Sequence, residues 1–117
     1  MGDVGELAAI ETRLQAVLDP YRDRLEPYEL YGAPYLRRPG AKAHDWFAGV
    51  GQSKGVVRFF LLPMHHHPEL LEGISPELRK RKTGASLFSF KTLDEDQLAE
   101  LERLVARAFE RYMAMDA

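Results

Sequence analysis

Leu7, Ile10, Leu14, Val17, Leu18, Tyr21 and Leu25 recur at three- and four-residue intervals. At about 3.6 residues per turn they fall within an arc of about 100°, which predicts an amphipathic helix near the start of the chain. Glu11, Arg13, Asp19, Arg22 and Asp23 lie outside the stripe. Pro20 cannot donate to the carbonyl four residues back, so the helix is expected to run to about Leu18. A short continuation capped by Asp19 then keeps the apolar phase to Leu25, and Pro27 ends it. A second stripe closes the chain: Leu98, Leu101, Leu104, Val105, Ala108, Phe109 and Tyr112, with Glu100, Arg103, Arg107, Glu110 and Arg111 facing away. Thr92 followed by Glu95 reads as a capping box for this helix, with Asp94 and Gln97 as the alternative pair.

Between the helices the period drops to two. His44 to Val50 alternates, with Trp46, Ala48 and Val50 on one face and Asp45, Phe47 and Gly49 on the other. Gly51 to Gly55 reads as a five-residue hairpin loop. Val56 to Leu62 is apolar apart from Arg58, as expected of a central strand with both faces at least partly covered. Ala85 to Lys91 is the predicted last strand, with Phe88 and Phe90 inward. Prolines in the Tyr28 to Pro39 segment allow at most a short edge strand near Tyr28 and Leu30. Two short helices are expected before the last strand. One follows His67-Pro68 and stops at Gly73; the other is capped by Ser75 and ends in Arg79-Lys80-Arg81-Lys82. The fold class predicted is α+β: an antiparallel sheet flanked by N-terminal and C-terminal amphipathic helices, with short helices inserted before the last strand.

Composition narrows the function classes. The 117 residues are expected to form one domain, 1–117, and 45% hydrophobic with 29% charged residues is ordinary for a globular chain. A net charge of −2 lacks the basic excess of a phosphate-backbone binder, so no nucleic-acid partner is expected. The absence of cysteine excludes disulfides, thiolate metal sites and cysteine nucleophiles. No leader-like apolar run opens the chain and no stretch approaches a membrane span, so a cytoplasmic protein without membrane association is expected.

Three groups of residues are candidates for chemistry. His65, His66 and His67 supply imidazoles suited to iron or zinc. Consecutive residues converge poorly on one ion, however, so a site built on His65 and His67 needs outside ligands, of which His44 beside Asp45 is the obvious source. Arg79, Lys80, Arg81 and Lys82, with Arg37, Arg38, Lys42 and Lys91, could make a basic patch for phosphate or carboxylate. Against this, basic residues in a helix's last turn serve to offset its dipole. Tyr28, Tyr31, Tyr35 and Trp46 could line a cleft, although aromatics in a small domain are more often core and rim. Hydrolytic chemistry has little support: there is no nucleophile elbow, and adjacent His44 and Asp45 face opposite ways in a strand.

From Trp46 onward the chain resembles a known family. Trp46-Phe47-Ala48-Gly49-Val50, the strand ending Leu61-Leu62-Pro63, Pro68-Glu69-Leu70-Leu71, Ile74-Ser75-Pro76-Glu77-Leu78 and Gly84-Ala85-Ser86-Leu87-Phe88-Ser89-Phe90-Lys91 are similar in order and spacing to the YdhG-like family of bacterial domains of unknown function. The resemblance covers roughly Tyr28 to the C-terminus and implies an α+β fold with a sheet flanked by terminal helices. Some members of the wider family are described as frataxin-like iron chaperones that bind iron through surface carboxylates. In this chain Glu6, Glu11, Asp19 and Asp23 are interspersed with Arg13, Arg22 and Arg24, which lowers the local affinity for a cation.

The leading expectation is a non-enzymatic binding module for a small anionic ligand or a protein partner, with Arg37, Trp46, Arg58, Arg79, Arg81 and Lys82 as ligand residues. The alternatives are an iron or transition-metal carrier using His44, His65 and His67, and an enzyme acting on a small molecule in an aromatic-lined cleft.

Overall fold

The computed structural model describes residues 3–30, 33–40 and 45–114. Helix α1 (Asp3–Leu18) passes into a 3-10 turn at Asp19–Arg24. Strands β1 (Glu26–Leu30), β2 (Ala33–Arg37), β3 (Trp46–Ser53) and β4 (Val56–Leu61) follow. Short helix α2 (Pro63–His66), a 3-10 turn at Pro68–Leu71 and short helix α3 (Pro76–Arg79) lead to β5 (Lys82–Gly84), β6 (Leu87–Phe90) and α4 (Glu95–Ala114). The six strands form one antiparallel sheet in the order β1-β2-β3-β4-β6-β5. This is the predicted α+β arrangement.

The helices lie on one face of the sheet. Helix α1 packs on β3 and β4, α4 packs on α1, and the short helices pack on α4. The core joins Ile10, Leu14, Val17 and Leu18 to Leu101, Leu104, Val105 and Ala108 across Leu36, Ala48, Val50, Val57, Phe59, Leu61, Phe88 and Phe90. The α4 stripe is therefore buried as its period predicted. Its cap is the Asp94–Gln97 pair: Gln97 N–H donates to Asp94 Oδ1 at 2.7 Å, and Asp94 N–H donates to Gln97 Oε1 at 3.3 Å. Ser75 accepts from Leu78 N–H at 3.1 Å, the expected cap of α3. Asp19 makes no cap; it accepts from Arg22 Nε at 2.7 Å instead.

The structure corrects the strand boundaries in four places. Two full strands replace the single edge strand expected before Pro39. Pro34 is tolerated because the β2–β3 ladder begins only at Tyr35, where Pro34's missing donor is not needed. The β3–β4 loop is two residues, not five: Ser53 pairs with Val56, and Lys54 (φ 50°) and Gly55 (φ 85°) both take the left-handed conformation of a type I′ turn. Lys82–Gly84 is a strand rather than the tail of α3, and Ala85-Ser86 is the turn into β6.

The fourth correction is a bulge in β3. Leu36 pairs with Ala48 but Arg37 pairs with Trp46, leaving Phe47 as the extra residue. The extra residue resets the alternation, so Phe47 joins Ala48 and Val50 on the helix side and Trp46 turns to the opposite face with Gly49. Phe47 then packs on Tyr21, Phe109 and Tyr112.

Tyr112 ties the end of α4 to the β2–β3 connection. Its hydroxyl accepts from Arg38 N–H at 2.9 Å and donates to the Asp45 carbonyl at 2.6 Å. The Arg38 guanidinium lies 4.5 Å from the Tyr112 ring centroid and pairs with Asp45. Burial is the main cause that pushes the Tyr112 hydroxyl above the ordinary phenol range. In the unfolded chain the phenol ionises first, near about pH 10, so its share of stability is intact below that pH and is lost as pH rises toward the folded value. Tyr112→Phe is expected to cost about 2 kcal/mol at neutral pH and to flatten the alkaline decline in stability. Denaturant titrations at neutral and alkaline pH check both; Tyr21, raised mainly by burial, keeps part of the alkaline slope.

Candidate functional site

The strand residues that alternate away from the helices make the second face of the sheet. Register places Tyr28, Tyr35, Gly49, Phe60 and Leu87 in one row across β1, β2, β3, β4 and β6. On one side of this row lie Glu26, Arg37 and Trp46; on the other lie Gly51, Arg58 and Ser89. None of these side chains belongs to the helix-side core.

An aromatic cluster occupies the middle of this face. Tyr35 stands edge-on to Trp46 at 4.8 Å between centroids and meets Phe60 at 5.2 Å, while Trp46 and Phe60 are 6.4 Å apart. Tyr35 is only 5% exposed, and its ring lies across Gly49. A Cβ at Gly49 would come within 2.8 Å of both the Pro34 carbonyl oxygen and the Tyr35 ring. Trp46 and Phe60 remain half-buried.

Arginines border the cluster. Arg37 Nε donates to Glu26 at 2.8 Å, and its guanidinium lies 4.2 Å from the Tyr28 ring centroid. Arg58 is half-buried and has no ion pair among the described residues. Arg81 sits just before β5, where its carbonyl accepts from Ser89 N–H at 2.7 Å. Arg81 is thereby opposite Ser89, and alternation about Lys82, the partner of Phe88, puts the Arg81 side chain on the Ser89 face. Its Nε is buried without a hydrogen-bond partner.

Of the predicted ligand residues, Arg37, Trp46, Arg58 and Arg81 therefore share one face. Lys82 falls on the opposite one, and Arg79 is used within the helical layer, donating to the Leu71 carbonyl at 2.9 Å. Lys42 and Tyr31 lie outside the described residues. Sequence reasoning missed Phe60, Thr83 and Ser89. The legible signal was Ser89 between Phe88 and Phe90, a polar residue on the outward phase of a strand and level with Arg58.

The histidines occupy a different region. His65 and His66 are exposed on α2, with ring centroids 5.2 Å apart. His67 is half-buried; its Nδ1 lies 3.4 Å from Arg111 and 3.6 Å from Glu69, and its Nε2 is buried without a partner. Arg111 pairs with Glu69, whose carboxyl is held below its ordinary range first by its own backbone N–H and then by Arg111. A guanidinium beside Nδ1 opposes a second cation there. His44 lies outside the described residues, and among those described no three His, Asp or Glu residues converge on one point.

A cleft of about 310 Å³ at the edge of the second sheet face is lined by Pro27, Tyr28, Glu29 and Pro34, and larger clefts lie elsewhere. A cleft of about 660 Å³ between α3 and the start of α4 is lined by Glu77, Asp94, Asp96 and Glu100, with Ser75 and Arg103. Glu100 is occupied there, accepting from the Ser75 N–H and hydroxyl. A cleft of about 400 Å³ lies between Leu7, Lys54 and Lys91. Among the described residues no helix is long and apolar enough to cross a membrane. No protein-family model, curated protein or solved structure matches the chain significantly.

Proposed function

We propose that this chain is a non-enzymatic docking module of YdhG-like type that binds an acidic segment of a protein partner across the open face of its sheet. The carrying observation is the composition of that face: Tyr28, Tyr35, Trp46 and Phe60 in a block, bordered by Arg37, Arg58 and Arg81, against Glu26 as the facing carboxylate in the paired rows. Tryptophan, tyrosine and arginine are the residue types that dominate binding energy at protein interfaces. A chain with a net charge of −2 that gathers arginines on one face segregates its charge, and an acidic partner complements that face. The cleft of about 310 Å³ beside Tyr28 lies at the sheet edge, away from Trp46 and Phe60, so the aromatic block itself offers a broad contact surface. The element order that the family resemblance implies supports the same reading.

Trp46 is the sole tryptophan of the chain and reports on this face directly. Short peptides alternating glutamate with aliphatic residues are expected to change Trp46 emission saturably, and their glutamine counterparts are not. The Arg37→Glu/Arg58→Glu variant should bind the acidic peptides about tenfold more weakly or worse. Unchanged emission at millimolar peptide would overturn the proposal. So would tighter binding of oligothymidylate at the same salt, which would assign the aromatic face to base stacking.

A further inference from the structure

We infer that Arg58, Arg81 and Ser89, with the Thr83 hydroxyl, form an oxyanion site for a phosphoryl group at one end of the open sheet face. The inference deepens the docking reading by naming a chemical group that face takes, and it rests on three observations. Arg58 and Arg81 flank Ser89 on neighbouring strands, so their backbones are about 10 Å apart, two strand spacings. Arginine side chains rooted at that separation both reach a point above the serine. Ser89 and Thr83 then present two hydroxyl groups at that point, 2.8 Å from one another.

The electrostatics point the same way. Arg58 and Arg81 are both half-buried and, like Arg24, Arg79, Arg103 and Arg107, have no ion pair among the described residues. Like charges rooted two strands apart on one face repel, and an anion between them offsets that repulsion. The buried, unpartnered Nε of Arg81 is a donor left without an acceptor, which ordinarily carries a desolvation penalty. A tetrahedral oxyanion accepts from both guanidinium forks and from the hydroxyls, and a phosphoryl group offers more acceptor oxygens than a carboxylate.

Inorganic phosphate tests the site on the whole chain without a partner. Phosphate is expected to shift the backbone amide resonances of Arg58, Thr83 and Ser89 saturably, and chloride at equal ionic strength is not. Arg58→Gln and Arg81→Gln should each weaken phosphate binding about tenfold, the loss of one charge-assisted hydrogen-bonding partner. Arg79→Gln, on the helical side, should leave it unchanged. Shifts no larger than those in chloride, or full affinity in both glutamine variants, would overturn the site. The two proposals fail separately: acidic peptides that bind while phosphate does not remove the oxyanion site alone, and the reverse removes the docking reading alone. A phosphoserine peptide bound more tightly than both inorganic phosphate and its serine counterpart identifies a phosphorylated partner as the source. Equal affinity for phosphate and phosphopeptide identifies a free phosphate ligand.

Discussion

Replacing Phe47 with alanine is expected to lower the unfolding free energy by about 3–5 kcal/mol, read as a lower denaturant midpoint at unchanged slope. The side chain is fully buried and meets Tyr21, Phe109 and Tyr112 at ring separations of 6.0, 5.4 and 5.3 Å. It is thus the point where the α1 continuation, β3 and α4 touch at once. Its place in the bulge raises the cost, because neighbours anchored on three elements cannot close the cavity together. The substitution keeps the residue in the backbone and with it the bulge, so Trp46 stays on the opposite face. Trp46 emission should therefore change little in the folded variant, because the lost ring contacts all lie on the helix side. A loss well under 1 kcal/mol would show that the site collapses freely and that Phe47 does not anchor the three elements.

Gly49→Ala is expected to destabilise the fold by about 1–3 kcal/mol and to disturb the aromatic face more than the core. The added Cβ would meet the Tyr35 ring and the Pro34 carbonyl oxygen, both at 2.8 Å. Rotating Tyr35 relieves the first clash and leaves the second, since the carbonyl belongs to the β2 backbone. The strands must then separate locally, and Tyr35 must leave the position in which it packs on Trp46 and Phe60. Trp46 emission should shift toward that of an exposed indole, and acidic peptides should bind less tightly. An alanine variant with parent stability and parent emission would show that β2 and β3 adjust at no cost. Gly49 is a position where the missing side chain is itself the functional feature, a gap that an aromatic neighbour fills.

The helical layer was legible in the sequence because a helix advertises itself locally. Leu101, Leu104, Val105 and Ala108 are spaced by the helix's own geometry, and each is buried where that spacing puts it. The cap at Asp94–Gln97 and the Ser75 cap depend on residues within one turn, so they too can be read along the chain. The apolar run of β4 marked a central strand for the same reason, with neighbours on both sides.

The open face of the sheet was not legible, and the cause lies in register. A one-residue insertion flips every following side chain to the other face, and the Phe47 bulge exists only because β3 pairs with β2. Strict alternation therefore misplaced Trp46. Arg81 shows the same dependence: along the chain it reads as the last turn of a helix, yet pairing with β6 makes it the neighbour of Ser89 and, across that strand, of Arg58. Residues 58, 81 and 89 are brought level by two strand pairings and by no local signal. The sequence by itself determined the two long helices with their buried stripes and the central strand β4, because those follow from periods of a few residues. Tertiary structure alone decided which polar and aromatic residues share the remaining face, because hydrogen-bond register between distant segments sets that, and register has no signature within either strand.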